Sequence, residues 1–292
     1  MSSSQSRVRA ADVASVSGKA PSCSSCRLVP KEGEHYLVCK RCKRAAYCSQ
    51  ACQQDDWESH SLPCSDVAYN TERVRTIRVA SQSTTTADAS PAESRLHLLE
   101  HFADAHKRIV QQILPVATHH REGCGTFDYS GEYVVIKLSY RDDCGGDPSR
   151  SYRVHSAEFR PQSVTCERYP HLRGRIEQWY GLKAGEYQAR KCFLGFVHIL
   201  WVTDGDDFMV WQALPDYEVS PLQASAMRQA DGSDWLAPLR WAAENGFVYR
   251  HPRPGFPFPL MGYLKKKGVG WQWQPFSHAQ LVAMGSDGVA LL

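Results

Sequence analysis

The 292-residue sequence has no apolar run long enough to cross a bilayer, which takes about 18–20 consecutive apolar residues in a helix. Residues 1–22 are rich in serine and contain no apolar segment either, so the sequence predicts no signal peptide. We therefore expect an intracellular protein in a reducing compartment, nuclear or cytoplasmic, that makes no contact with a membrane.

A strong net charge is also absent. The chain carries 34 basic and 31 acidic residues, a formal net charge of +3, whereas a nucleic-acid footprint needs a clear positive excess. The sequence contains no glycine-rich phosphate loop, no G-x-S-x-G elbow, no His-Glu-x-x-His helix and no internal repeat. These absences exclude the common phosphate-loop, serine-hydrolase and zinc-protease signatures, and we expect no direct contact with nucleic acid.

Cysteine and histidine are concentrated between positions 23 and 64. The spacing is C-x2-C-x12-C-x2-C-x5-C-x3-C-x7-H-x3-C. The eight residues are Cys23, Cys26, Cys39, Cys42, Cys48, Cys52, His60 and Cys64. Each C-x2-C pair can wrap a metal ion, and the last two pairs have the four-residue spacing of one helix face. Together they supply complete ligand sets for two tetrahedral zinc ions.

Disulfide bonding is the alternative for such a segment. It fits poorly, because seven cysteines are an odd number of thiols and nothing in the sequence points to export. Four protein ligands on each ion also leave no open position for catalysis. We therefore predict two structural Zn²⁺ per chain and a segment that is unfolded without metal. The spacing alone permits either sequential or interleaved pairing of the four ligand pairs.

Around these ligands the sequence resembles the MYND-type zinc finger. The resemblance rests on the order of the four pairs and on two stretches, Tyr47-Cys48-Ser49 and Cys52-Gln53-x-x-Asp56-Trp57-x-x-His60. In that family the two sites interleave as a cross-brace. The resemblance therefore implies one zinc on Cys23, Cys26, Cys48 and Cys52, and a second zinc on Cys39, Cys42, His60 and Cys64.

The same resemblance implies a protein-interaction module that binds proline-containing peptides beside its short helix. The matching positions are Gln53 and Trp57, one turn apart on a helix that Ser49 is expected to cap. Trp57 has a second interpretation, because one large aromatic side chain can fill much of so small a core. Proteins are thus the expected partners, and the role of Trp57 stays open.

The composition beyond the zinc ligands predicts an α+β protein. The expected organisation is a disordered segment at 1–22, the zinc module at 23–64, a flexible linker at 65–89 and an α+β domain of unknown function at 90–292. The last domain has ample apolar content for a core of its own.

This α+β domain is expected to begin with an amphipathic helix. Ser90 is placed as N-cap, Pro91 in the first turn and Glu93 in a capping box, and Pro115 is expected to end the helix. Its apolar stripe consists of Leu96, Leu99, Phe102, Ala103, His106, Ile109, Val110 and Ile113.

Strands are predicted farther along. Residues 133–140 alternate between apolar and polar, and residues 193–202 form an apolar strand paired with 208–211 in a hairpin. A helix is expected at 235–245. The proline-rich segment 251–259 is predicted to be a surface loop, with a polyproline ligand as the alternative.

Three other groups of residues are candidates for chemistry. His97 and His101 are four apart and could chelate a metal, but a solvated helix face is favoured because no third ligand is visible. His198 is a candidate base, although a core histidine is favoured. The remaining cysteines lack metal-ligand spacing and are expected to be ordinary thiols: Cys124, Cys144, Cys166 and Cys192.

From these residues we predict an adaptor or regulatory protein without enzymatic activity, which recruits partners through the MYND-type module. The alternative is an enzyme with an active site in the C-terminal domain. The most specific form of this alternative is a SET and MYND lysine methyltransferase. That family resembles this chain in the zinc module, but it has a catalytic segment before the module and an Asn-His-x-Cys cofactor motif. The nearest fragments here are Thr118-His119-His120 and Val197-His198-Ile199, so methyl transfer is disfavoured.

Overall fold

A computed structural model of the chain describes residues 7–9, 22–29, 35–80, 91–119, 127–187, 190, 192–218, 234–251, 259–268 and 270–284. The chain forms two compact units, the first from residues 1–82 and 171–185 and the second from residues 83–170 and 186–292. Both contain helices and sheets, which confirms the predicted α+β class.

The first unit begins with a three-stranded antiparallel sheet in the order β1-β2-β3. Its strands are Arg7–Arg9, His35–Val38 and Ala46–Tyr47. Strand β1 lies in the segment 1–22 that the sequence predicts to be disordered, so the prediction is wrong for residues 7–9. The physical reason is that β2 offers a row of backbone N–H and C=O groups at its edge, and β1 pairs with them.

Helix α1 spans Gln50–Ala80 and contains Pro63. Its second half occupies residues 65–80, which the sequence predicts to be a flexible linker. Buried residues four apart, Leu62, Asp66, Asn70 and Val74, form one stripe along the helix. Two of the four are polar, so apolar periodicity does not detect the stripe. The rest of the expected linker, 81–89, lies outside the described residues.

The polar stripe of α1 is held by helix α4, Arg175–Tyr187. The Arg175 side chain is 1% exposed and donates to both carboxylate oxygens of Asp66, at 2.6 and 3.1 Å, and to the hydroxyl of Ser65 at 2.6 Å. His171 stacks on the ring of Tyr69 with 4.6 Å between centroids. Buried ionic groups thus find their partners within the unit.

The second unit contains a four-stranded sheet in the order β5-β4-β6-β7. The strands are β4 Glu132–Tyr140, β5 Tyr152–Pro161, β6 Phe193–Thr203 and β7 Met209–Tyr217. Strands β4 and β6 are parallel and the other two pairs are antiparallel. The predicted hairpin of β6 and β7 is confirmed, and Gly205 has the positive φ of 84° that its turn requires.

Helix α2, Pro91–His119, packs against β6 and β7 and buries the predicted apolar stripe. In its middle, the Phe102 ring contacts Tyr152 and Trp201 edge to face, at 5.6 and 5.9 Å between centroids. The helix passes Pro115, where the sequence predicts its end. The turn after the proline is held because Leu114 is buried and its carbonyl accepts a hydrogen bond from the Thr118 hydroxyl at 3.1 Å. Ser90 lies outside the described residues.

A second sheet in this unit has the order β10-β9-β8 and is antiparallel. It is built from Phe247–Arg250, Leu260–Lys267 and Gly270–Pro275. Helix α3 is Gln162–Arg168, helix α5 is Ala237–Asn245 and helix α6 is His278–Ala283. Helix α5 ends at Gly246, as predicted, with φ 71°. Residues 252–258 of the proline-rich segment are not among those described.

Among the helices that the structure describes, none is both long enough and apolar enough to span a membrane.

Candidate functional site

The two C-x2-C segments of the first unit form the same kind of backbone turn. The residue after the second cysteine is left-handed in both, with φ 65° at Arg27 and 56° at Lys43. Each of these residues donates its backbone N–H to the carbonyl of the first cysteine, at 3.0 Å for Cys23 and 2.8 Å for Cys39. A left-handed non-glycine residue costs about 1–2 kcal/mol, so such a turn persists only where other interactions fix it. This turn has no signature in the sequence.

The first ligand group consists of Cys23, Cys26, Cys48 and Cys52, whose sulfur atoms all lie within 4.8 Å of one another. The Sγ atoms of Cys26 and Cys48 are 3.6 Å apart, and those of Cys48 and Cys52 are 3.4 Å apart. Cys48 lies just before α1 and Cys52 lies in its first turn, where the Ser49 hydroxyl accepts the backbone N–H of Cys52 at 3.1 Å. The predicted cap is therefore confirmed.

The second ligand group consists of Cys39, Cys42, His60 and Cys64, again with ligand atoms within 4.8 Å of one another. The Sγ atoms of Cys39 and Cys64 are 3.7 Å apart, and Cys42 Sγ lies 3.5 Å from His60 Nε2. The buried Tyr47 ring meets His60 edge to face and donates its hydroxyl to Asp56 at 2.8 Å. These contacts orient the one imidazole in the set.

The distances match a metal centre rather than disulfides. Two sulfurs on one tetrahedral zinc ion lie about 3.8 Å apart, and a sulfur and an imidazole nitrogen about 3.6 Å apart. A disulfide needs about 2.05 Å. The structure thus brings together two zinc-binding sites, one of four cysteines and one of three cysteines and a histidine, in the interleaved order.

The electrostatics of the sites also favour a cation. Burial, and then the neighbouring Cys42 and Cys39, raises the pKa of Cys64 to about 12. At Cys23 burial raises the pKa, but backbone hydrogen bonds from Cys48 and Cys26 outweigh it and lower the pKa to about 6. Crowded thiols resist ionising together unless a positive charge lies among them, and a bound Zn²⁺ supplies that charge. The residues therefore fit the metal.

Gln53 and Trp57 lie on the first turns of α1 beside these sites. Trp57 is 47% exposed, and its ring contacts His60 edge to face at 6.1 Å. Gln53 is half-buried. Filling the small core is therefore not the main role of Trp57. The buried cluster of the module consists of Cys23, Tyr36, Cys39, Cys42, Ala46, Tyr47 and Cys64.

The second unit gathers another set of polar side chains around Asp216 on β7. The carboxylate oxygen Oδ2 accepts hydrogen bonds from the hydroxyls of Thr118 at 2.9 Å and Tyr129 at 2.8 Å. The Nε2 atom of His119 lies 3.8 Å from the same oxygen. Asp216 is buried, whereas the His119 side chain is 27% exposed. The His119 imidazole therefore lies between a buried carboxylate and solvent.

Sequence patterns do not reveal the Asp216 cluster, because its members are far apart in the chain and lie together through the packing of α2 on β7. His198, the candidate base considered from the sequence, is fully buried in β6 beside the Trp211 ring. Cys144 and Cys166 are buried and Cys192 is exposed, while Cys124 lies outside the described residues. Within the described part of the chain, the metal-ligand groups of three or more residues are the two cysteine sites.

Comparison with known proteins gives two findings. Residues 22–64 match the MYND finger family, so this segment is a MYND zinc finger. The chain is also 34% identical over 120 residues to the Bos taurus N-lysine methyltransferase SMYD2, covering 37% of this chain and 27% of that protein. It is 28% identical over 121 residues to SMYD2-A of Xenopus laevis, covering 37% and 28%.

The chain therefore spans about a quarter of the length of the curated relatives it matches. No solved structure matches it.

These relatives correct the functional prediction. The sequence predicts an adaptor and disfavours an enzyme, in particular a lysine methyltransferase, yet the matched proteins are N-lysine methyltransferases. Both statements are therefore wrong as predictions from the sequence. The physical reason is that a missing contiguous motif says little about catalysis, since the groups of an active site can come from distant segments of the chain.

Proposed function

We propose that the protein is an enzyme of protein lysine modification, of the same general kind as the N-lysine methyltransferases it resembles. The observation that supports this most is the 34% identity over 120 residues to the Bos taurus enzyme, together with the MYND finger at 22–64. In this proposal the first unit binds the protein substrate, and the second unit holds the reacting groups.

The zinc sites are proposed to be structural and to hold two ions per chain. Each site has four protein ligands, so neither leaves a position open for water or substrate. Metal binding of about 10–16 kcal/mol per structural zinc is then available to fold the unit. The thiols serve as metal ligands rather than disulfides, which supports an intracellular location.

Substrate proteins are proposed to bind at Gln53 and Trp57. The exposed indole of Trp57 offers a flat apolar face for a proline or leucine side chain, and the nearby amide of Gln53 can hydrogen-bond an extended backbone. Proline-containing segments are the expected ligands. In this proposal the zinc module binds the substrate protein, and the second unit carries out the reaction.

The Asp216 cluster is proposed as the reaction site. A lysine ammonium has a pKa of about 10.4 and must lose a proton before its nitrogen can act as a nucleophile. His119 can accept that proton at Nδ1, the ring nitrogen that faces away from Asp216, while its Nε2 lies 3.8 Å from the Asp216 carboxylate. Tyr129 and Thr118 fix the carboxylate through their hydroxyls.

The methyl donor of such enzymes, S-adenosylmethionine, supplies an electrophilic methyl group when bound. The two sequence fragments nearest to the Asn-His-x-Cys cofactor motif contain His119 and His198, and neither histidine is placed to contact this donor. His198 is fully buried in β6, and His119 faces Asp216. No step of the proposed chemistry is therefore assigned to a donor held by these two residues.

The test is methyl transfer by the full zinc-loaded chain, with radiolabelled S-adenosylmethionine and core histones or an array of lysine peptides. We expect label on lysine, and a rate lowered by roughly 10²–10⁴-fold in His119→Gln, the usual contribution of a general base. His155→Gln, a change at an exposed histidine on β5, is the matched control and should keep full activity. Absence of label on every substrate, together with absence of donor binding by calorimetry, would refute the proposal.

A further inference from the structure

Helix α2 presents two histidines on its solvent side, outside both zinc sites and away from the Asp216 cluster. The Nε2 atoms of His97 and His101 are 3.0 Å apart. Their rings are nearly perpendicular, at 87°, with 4.3 Å between centroids. The His97 side chain is 43% exposed, and His101 also reaches solvent. Two imidazole nitrogens thus converge at an accessible point.

The nitrogen separation indicates a class of metal. Imidazole nitrogens bound at about 2.0–2.1 Å lie about 2.8–3.0 Å apart when they subtend a right angle at the ion, and about 3.3–3.4 Å apart at a tetrahedral angle. The observed 3.0 Å lies close to the right-angle separation, and it is also the length of an ordinary hydrogen bond. Right-angle coordination is typical of tetragonal and octahedral ions such as Cu²⁺ and Ni²⁺, which imidazole binds well.

The surroundings of His101 favour its neutral ring, which is the form that binds a metal ion. Burial and the neighbouring His97 hold the pKa of His101 below its ordinary value, so its ring is neutral near pH 7. The Glu100 carboxylate lies 3.9 Å from His97 Nδ1, on the side away from the converging nitrogens. Outer carboxylates of this kind orient metal-bound imidazoles.

A carboxylate lies one turn farther along the helix, but it does not form a ligand group with the two histidines in this structure. Asp104 is 66% exposed and lies three residues after His101, on the same face. Its Oδ2 accepts a hydrogen bond from Arg250 at 3.2 Å. Arg250 therefore competes with a metal ion for this carboxylate, and its positive charge opposes cation binding.

We propose that His97 and His101 form a surface site for a divalent transition-metal ion of the Ni²⁺ or Cu²⁺ type, and that Asp104 joins them as a third ligand when its carboxylate leaves Arg250. The site is independent of the zinc centres and of the proposed lysine chemistry. A simple hydrogen bond between two neutral rings is the competing explanation for the short distance.

The test uses Ni²⁺ as probe on the full chain with its zinc sites already loaded, by calorimetry and by equilibrium dialysis with metal analysis. We expect one Ni²⁺ beyond the two zinc ions. His97→Gln and His101→Gln should each weaken binding by more than about tenfold, since the loss of even an outer partner of a ligand costs roughly 10–100-fold. His155→Gln is the matched control and should leave Ni²⁺ affinity unchanged.

Two further variants examine the third ligand. Asp104→Asn should weaken Ni²⁺ binding, and Arg250→Gln should strengthen it, because the carboxylate is then released. The zinc content and the helical circular dichroism of each variant verify that the fold is intact. The proposal is overturned if the double variant of both histidines binds Ni²⁺ as tightly as the natural chain, or if the natural chain binds none.

Discussion

The buried ion pair between Arg175 and Asp66 allows a demanding test of the first unit. Replacing Arg175 with methionine keeps much of the side-chain volume and removes the charge together with three hydrogen bonds. Removing one partner of a buried pair costs about 3–5 kcal/mol, because the other charge is left without compensation. Arg175→Met should therefore destabilise the packing of α4 on α1 by this amount.

The environment of Asp66 sets where in this range the cost falls. The pKa of Asp66 is raised to about 6, because the effect of burial outweighs that of the nearby Arg175 guanidinium, which acts to lower the pKa. Without the guanidinium, burial acts alone and the carboxyl group takes up a proton near neutral pH. Protonation limits the penalty, so we expect a value near the lower end, about 3 kcal/mol.

Matched variants separate charge from hydrogen bonding. Ser65→Ala removes one acceptor of Arg175 and should cost about 1 kcal/mol. The double variant Asp66→Asn with Arg175→Met removes both charges and should be more stable than Arg175→Met alone. Hydrogen exchange of peptides from 59–80 and 171–185, measured by mass spectrometry on zinc-loaded protein, reports the opening free energy of this region. If Arg175→Met costs no more than Ser65→Ala, the buried pair does not form in solution.

Three other predictions concern different parts of the chain. Burial lowers the pKa of His106 to about 4, so the folded state binds its proton less readily than the unfolded state with a pKa of about 6.5. The second unit should therefore be fully stable above about pH 6.5 and lose about 2 kcal/mol between pH 7 and 5 in denaturant titrations, a loss that His106→Gln should reduce. Cys42→Ser should release one zinc ion and leave α1 open to proteolysis, whereas Cys144→Ser, at a thiol outside the zinc sites, should retain both ions. Gln53→Ala should weaken the binding of a proline-containing peptide without loss of zinc, and unchanged affinity would move the binding surface elsewhere.

The zinc ligands were predictable because metal coordination imposes a strict local spacing on the chain. The two C-x2-C pairs and the helical pairs are each visible within a few residues, and the resemblance to the MYND finger supplied the interleaved order that the structure also has. The buried stripe of α2 and the hairpin of β6 and β7 were predictable for a similar reason, since apolar periodicity is a local property.

Other features could not be predicted, because they depend on contacts between residues that are far apart in the chain. Asp66 and Asn70 have the polar character of a linker. Asp66 is buried in the fold because Arg175, more than a hundred positions away, pairs with its carboxylate. Pro115 signals a helix end, yet the packing of Leu114 keeps α2 intact. His119 and Asp216 come together only after α2 packs on β7, so no sequence motif marks them as neighbours.

The interleaved pairing of the zinc ligands can be measured directly by ¹¹³Cd NMR on protein in which cadmium replaces zinc. Correlations through the metal identify which cysteine β-protons and which imidazole couple to each ion. The structure predicts one ion coupled to Cys23, Cys26, Cys48 and Cys52, and another coupled to Cys39, Cys42, Cys64 and the ring of His60. Coupling of the His60-bound ion to Cys48 and Cys52 instead would show sequential pairing and contradict the zinc centre on which the proposed function depends.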